Sequence, residues 1–186
     1  MTETTSGTRW LRLPAATLTA LPHLLVQGRS PLEAATLLRE IGYGTGEALS
    51  AALERWLLAT GGGEELGALA PEQFWGTLSR FFEDLGWGTL RFERLHPGLA
   101  ALDAREWAEA DPESGAAQPG CHLSTGIFAE LLGRAAGSEV AVMEVACRSR
   151  GDESCRFVFG SPETLRQVYD EMQTGAPLAS AIERLG

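Results

Sequence analysis

The sequence predicts an α+β fold in which an antiparallel sheet packs against helices. Three observations carry this. "SPLE" at 30–33 and "SPET" at 161–164 both read as helix starts, with serine as cap and proline in the first helical position. "GTLRFERL" alternates as a strand does. "EVAVMEVAC" and "CRFVFG" are strand-like arms joined by the turn "RSRGDES". Along the chain the order is helices, strands, one helix, a hairpin, and a helix.

Each element has its own signal. Residues 1–8 are polar and small and are expected to be a disordered tail, leaving 9–186 as one domain. In residues 14–27, Leu18, Leu21, Leu24 and Leu25 fall at helical spacing, with Pro22 as a kink or break. After the Ser30–Glu33 capping box a helix is expected to run to Leu58 and end in the Gly61–Gly63 triplet. Leu38, Ile41, Leu49, Ala52 and Trp56 are placed on its buried side. A further helix starts at Pro71, carries the stripe Phe74, Leu78, Phe82, Leu85 and stops at Gly86. In the first strand Leu90 and Phe92 face one way, Arg91 and Glu93 the other. "HPG" at 96–98 turns the chain, and "LAALDAREWAEA" reads as a second strand. Residues 111–119 are a loop. Leu123, Ile127, Leu131 and Leu132 then form a helical stripe. After the hairpin, Leu165, Val168, Tyr169 and Met172 face inward from the last long helix, and "LASAIERL" adds a short one. The domain divides into a helical part at 14–85, a core at 119–160 and a C-terminal helix at 161–173.

Composition narrows the function. The 186 residues are 44% hydrophobic and 22% charged, which suits a folded chain with a real core. The net charge is −10, from 15 basic and 25 acidic residues. Phosphate backbones and anionic membrane surfaces would repel such a chain, so neither nucleic acid nor membrane is an expected partner. No signal peptide or apolar span is visible, and the expected location is the cytoplasm. Thiols stay reduced there, and three cysteines cannot all pair.

Those cysteines, Cys121, Cys147 and Cys155, follow the pattern C-x25-C-x7-C. The hairpin can bring Cys147 and Cys155 together, and Cys121 opens a helix whose free N–H groups would favour its thiolate. Three thiolates and one further donor make a tetrahedral zinc site. The spacing leaves Glu144, His122, Asp152 and Glu153 open as the fourth donor. Glu144 lies three residues before Cys147, so it can share an ion with Cys147 only if the strand bulges or ends between them. The bland alternative is three packed thiols acting as small hydrophobes.

The stretch "PGCHLSTGIFAELLGRAAGSEVAVMEVACRSRGDESCRFVF" resembles the core of the 4-vinyl reductase (4VR) domain family. Cys121, Gly137, Glu144, Cys147, Gly151, Asp152, Cys155 and Phe157 match its pattern. "EDLGWGTLRFE" and "LLREIGYGTGEAL" upstream are similar too, so the likeness spans about residues 30–160. It implies an α/β sandwich like that of TRAPP vesicle-tethering subunits, related to heme nitric-oxide sensors. By analogy with the phenol-sensing activators that contain this domain, it implies one zinc ion per chain on Cys121, Glu144, Cys147 and Cys155. An iron–sulfur cluster ranks behind zinc. The sensors' ligand-side histidine has no counterpart in helix 71–85, so phenol itself is not carried over.

Other candidates are weaker. Gly42 and Gly46 in "GYGTGE" lack the dinucleotide pattern and suit a close approach of two helices. Trp75 and Phe81 lie off the main stripe of their helix, and one small core is not expected to bury both faces. With Trp107 they are candidates for lining a ligand pocket or a dimer surface. The acids Glu106, Glu109, Asp152 and Glu153 read as solvated faces. No catalytic constellation is visible among the three histidines. The functional expectation is a stand-alone sensor or carrier domain that binds a small, largely apolar or aromatic molecule, as a homodimer. A tetrapyrrole-related 4-vinyl reductase or accessory carrier, and a structural dimerisation module, are the alternatives.

Overall fold

Strands β1 (Thr89–His96), β2 (Leu99–Arg105), β3 (Ala141–Ala146) and β4 (Cys155–Gly160) form one antiparallel sheet in the order β1-β2-β4-β3. The computed structural model describes residues 13–61 and 66–185. The expected tail at 1–8 and the end of the glycine triplet lie outside them. Among the described residues there are six α-helices: α1 (Ala16–Leu25), α2 (Pro31–Ala59), α3 (Pro71–Asp84), α4 (His122–Ala136), α5 (Pro162–Gln173) and α6 (Leu178–Glu183). None is long and apolar enough to cross a membrane.

The strand period sorts side chains to two faces. Leu90, Leu102, Ala104, Cys155 and Phe157 enter the main core with α2, α3 and α4. Leu99, Ala101 and Val158 meet Leu165, Val168 and Ala181 from α5 and α6 on the other face. The result is a sheet between two helical layers, the α+β sandwich that the element order predicts.

The Ser30 capping box forms as expected. The Glu33 N–H donates to the Ser30 hydroxyl at 3.2 Å, and the Ser30 N–H donates to the Glu33 carboxylate at 2.8 Å. Helix α1 runs through Pro22 without a break. On α2 the buried face holds Ala34, Leu38, Gly42, Gly46, Ala52 and Leu53, while Ile41 is 45% exposed, contrary to expectation. The glycines explain the shift. A Cβ on Gly42 would lie 2.1 Å from the Leu123 carbonyl oxygen, and one on Gly126 would lie 2.0 Å from that of Arg39. Helices α2 and α4 therefore touch backbone to backbone, and this contact sets the rotation of α2.

Helix α3 buries both Phe81 and Phe82. Phe81 meets Trp56 of α2 edge-on, while Phe82 meets Trp87, Trp107 and Phe128. The expectation that one core cannot hold both faces of α3 is thus corrected: α2 covers one face and the sheet with α4 covers the other. The second strand ends at Arg105, so Trp107 sits in the turn after it.

Candidate metal centre

Three segments converge at one end of the sheet. Cys121 is the N-cap of α4, Cys147 follows β3, and Cys155 opens β4; all three are fully buried. The Cys121 sulfur lies 3.8 Å from each of the other two. With one Glu144 carboxylate oxygen, the donor atoms all fall within 4.8 Å of one another. Sulfurs ~2.3 Å from a common ion would stand ~3.8 Å apart across a tetrahedral angle. The cysteines are free and not disulfide-bonded.

Local geometry brings Glu144 to the same place. The β3–β4 register shifts between Glu144 and Ala146, and β3 ends before Cys147. This is the bulge that two donors three residues apart require. Glu144 Oε2 accepts the Cys121 N–H at 2.8 Å, while Glu144 Oε1 is buried without a hydrogen-bond partner among the described residues. A buried carboxylate oxygen with no donor is costly. The donor set (three soft sulfurs and an orphaned oxygen) fits a bound cation.

Cys147 is held by a self-closing turn. Its N–H donates to Asp152 Oδ2 at 2.8 Å, and its carbonyl accepts from the N–H groups of Arg150 and Asp152. Gly151 closes the single 3-10 turn Arg148–Arg150 with φ +92°. Glycine there takes the left-handed backbone, and Asp152 supplies the acceptor, which is the physical content of "GD" before the last cysteine. Asp152 is thus occupied on Cys147's backbone, Glu153 is exposed, and His122 lines an open groove beside α4.

The electrostatics call for positive charge. Contacts with the neighbouring thiols pull Cys147 down and push Cys121 up, and burial adds to the rise of Cys121. For Cys155 the Cys121 contact pulls down, but the Cys147 contact and burial outweigh it. Burial, then the Cys147 charge, raises Glu144 to about 9. Without a cation the cluster supports one negative charge, on Cys147. A divalent ion reverses this logic and favours all four deprotonated donors.

One residue of the surroundings departs from the sequence expectation. Glu109, expected on a solvated face, is 4% exposed. It accepts the N–H groups of Leu123 at 2.8 Å and Ser124 at 2.7 Å, and the Ser124 hydroxyl. The leading N–H groups of α4 are therefore taken by Glu109, not left free for the Cys121 thiolate. Burial pushes Glu109 up to about 7 against the pull of these hydrogen bonds. Trp107 completes the group by donating its indole N–H to Ser124 Oγ at 2.7 Å. An acid so far ahead of a helix carries no local sequence signal of this role.

The three aromatic candidates separate. Phe81 and Trp107 are core residues, at 0% and 2% exposure. Trp75 is partly exposed, stacks on Phe92 at 4.2 Å between ring centres, and meets Phe74 edge-on. It lines a cavity of about 640 Å³ with Leu66, Phe74, Leu132, Val140 and Phe159. That cavity lies at the far end of α4 and β4 from the cysteines.

Residues 104–161 match the model of the vinyl-4-reductase (4VR) domain family. The resemblance read from the sequence therefore holds over this stretch, which contains all four donors. No curated protein matches the chain. Among solved structures, the phenol-responsive sensory domain of the transcription activator PoxR, solved with phenol, superposes with a TM-score of 0.65 at 16% identity, covering 91% of this chain and 85% of that one. Subunit 3 of a trafficking protein particle complex from Naegleria fowleri, covalently bound to palmitic acid, gives 0.59 at 15% identity, over 78% of this chain and 91% of that one. A vinyl-4-reductase family protein from Methanocaldococcus jannaschii gives 0.49 at 21% identity, with 82% of each chain covered. The first two likenesses show a shared fold.

Proposed function

We propose that this chain is a sensor-type module that binds one small, largely apolar or aromatic molecule and is held in shape by one zinc ion. Cys121, Cys147, Cys155 and Glu144 would hold the ion. Zinc is favoured over an iron–sulfur cluster because the sulfurs stand at the spacing of donors to a single ion. A cluster places several metal atoms between its cysteines and spreads them.

One observation carries the reading. The donor cluster and the apolar cavity sit at opposite ends of the same elements. The donors tie the start of α4 to the end of β3 and the start of β4. The cavity is walled by Leu132 near the end of α4, Val140 just before β3 and Phe159 near the end of β4. The ion would thus fix the mutual placement of the cavity's walls through rigid elements ~20 Å long. The cavity volume suits a small ligand, and its aromatic lining suits an aromatic one. That a structural neighbour's sensory domain was solved with phenol supports the class of ligand, not its identity.

Elemental analysis tests the metal, using untagged protein purified without added metal or chelator. About one zinc per chain, lost in Cys155→Ser, is the expected result. No metal, with three titratable thiols in folded protein, would sink the reading. The cavity is tested by titrating a panel of monocyclic aromatics against intrinsic fluorescence. Trp75→Ala should weaken the best binder by roughly tenfold, or about 1.4 kcal/mol.

A further inference from the structure

The two edges of the sheet are built differently. Edge strand β1 carries Arg91, Glu93 and Arg94, with a register shift between Arg94 and His96. Outward charges and bulges are standard protection against pairing with a foreign strand. Edge strand β3 reads "AVMEVA". It has no lysine, arginine or proline, and its one charged residue, Glu144, turns into the donor cluster. Among the described residues no strand pairs with its outer side. Only its far end is closed, where Arg150 Nη2 donates to the Val145 carbonyl at 3.1 Å.

Beside this edge runs a slot of about 690 Å³ whose floor is Ala141–Val145. Arg39 and His122 of the α2/α4 layer form one lip, and Leu165, Arg166, Tyr169 and Met172 of α5 form the other. Both helical layers reach past the edge and leave a gap one strand wide between them. The floor is ~17 Å long, the length of an ordinary strand.

The charge of the slot is opposite to that of the chain. Net charge is −10, yet the lips hold Arg39 and Arg166, neither in an ion pair among the described residues. Arg150 also lines the slot but is paired with Asp152 at 2.7 Å. The single carboxylate in the lining is Glu144.

We propose that the outer edge of β3 is a strand-addition site for an extended acidic segment of a partner protein. Its backbone would extend the sheet to a fifth strand. Its carboxylates would meet Arg39 and Arg166, and its apolar side chains would lie against Leu165, Tyr169 and Met172. A second copy of this chain is disfavoured as occupant, because it brings the same two unpaired guanidinium groups to the same edge. The proposal does not depend on the Trp75 cavity, which involves a different surface.

The test uses the full zinc-loaded chain and three fluorescent peptides. One is four Glu-Val repeats, one is four Lys-Val repeats, and one is the Glu-Val peptide with alternate amides N-methylated. The Glu-Val peptide should bind. The Lys-Val peptide should bind at least ~10-fold more weakly, and N-methylation should abolish binding, since it removes the backbone donors. Amide exchange should slow at residues 141–145. The Arg39→Glu/Arg166→Glu variant, changed only at the lips, should melt like the wild type and bind the Glu-Val peptide ~10-fold more weakly. Equal binding of the N-methylated peptide would reduce the slot to a patch of charge and overturn strand addition. So would protection confined to other residues, or no binding up to ~1 mM. Concentration-dependent dimerisation that protects residues 141–145 without peptide would overturn it in favour of a second copy.

Discussion

Glu109 accepts two backbone N–H groups and one hydroxyl from the first turn of α4 while almost wholly excluded from water. Burial raises its pKa in the fold to about 7 from an ordinary 4.5. Between those values the folded chain keeps a proton that the unfolded chain has lost. Its contribution to stability is therefore complete below the lower value and is lost as pH rises through the upper one, by up to ~3 kcal/mol. Urea unfolding below and above that window should show the loss in the wild type and a flatter response in Glu109→Gln. At the other side of the centre, Gly151 holds φ +92°. Gly151→Ala should cost ~1–2 kcal/mol and loosen the turn that presents Cys147, seen as weaker zinc retention against a chelator. The two residues differ in how readable they are. Gly151 and Asp152 sit inside the motif whose turn they build, so sequence exposes them. Glu109 acts on N–H groups of another segment, and an acid beside "REWAEA" looks the same whether solvated or buried.

Helix α4 is read well from sequence because its cues are local: a cysteine before an apolar stripe, and Gly137 as left-handed stop. Its partner α2 is read only in part. The Ser30 capping box marks where α2 begins, but the rotation about its axis depends on Gly126, a residue of α4. That is why Ile41 is exposed while smaller residues are buried. Gly126→Ala places a methyl 2.0 Å from the Arg39 carbonyl oxygen. The helices must then separate, at an expected cost of ~3 kcal/mol, measured as a lower urea midpoint with unchanged slope. The α3 aromatics teach the same lesson. Phe81 is off the stripe of a helix with one buried face, but α3 has two, and only the fold shows the second.

At the scale of the molecule, the element order sufficed for the sandwich, because helices and hairpins in this succession have few ways to cover a sheet on both faces. The site was legible as a donor set, since three cysteines are rare enough to stand out. The choice of Glu144 became physical only with the bulge after it. If zinc spans these elements, chelation should act far from the cysteines. A chelator such as EDTA is expected to lower the melting temperature, and to weaken aromatic binding at the Trp75 cavity at temperatures where helix content is intact. Circular dichroism and fluorescence titration on the same sample separate the two effects.

The bulge and the closed turn around Cys147 also bear on how the chain finds this shape. All four donors lie between residues 121 and 155, whereas the β2–β4 ladder joins Leu99–Ala104 to Cys155–Gly160. Closing short loops costs less entropy than closing long ones. The donor segment is therefore the most economical non-local contact available to the unfolded chain, and an ion that captures it would serve as a nucleus on which β2 and then β1 dock. Stopped-flow refolding should accelerate with added zinc, and Cys155→Ser should fold at a rate that no longer responds to it.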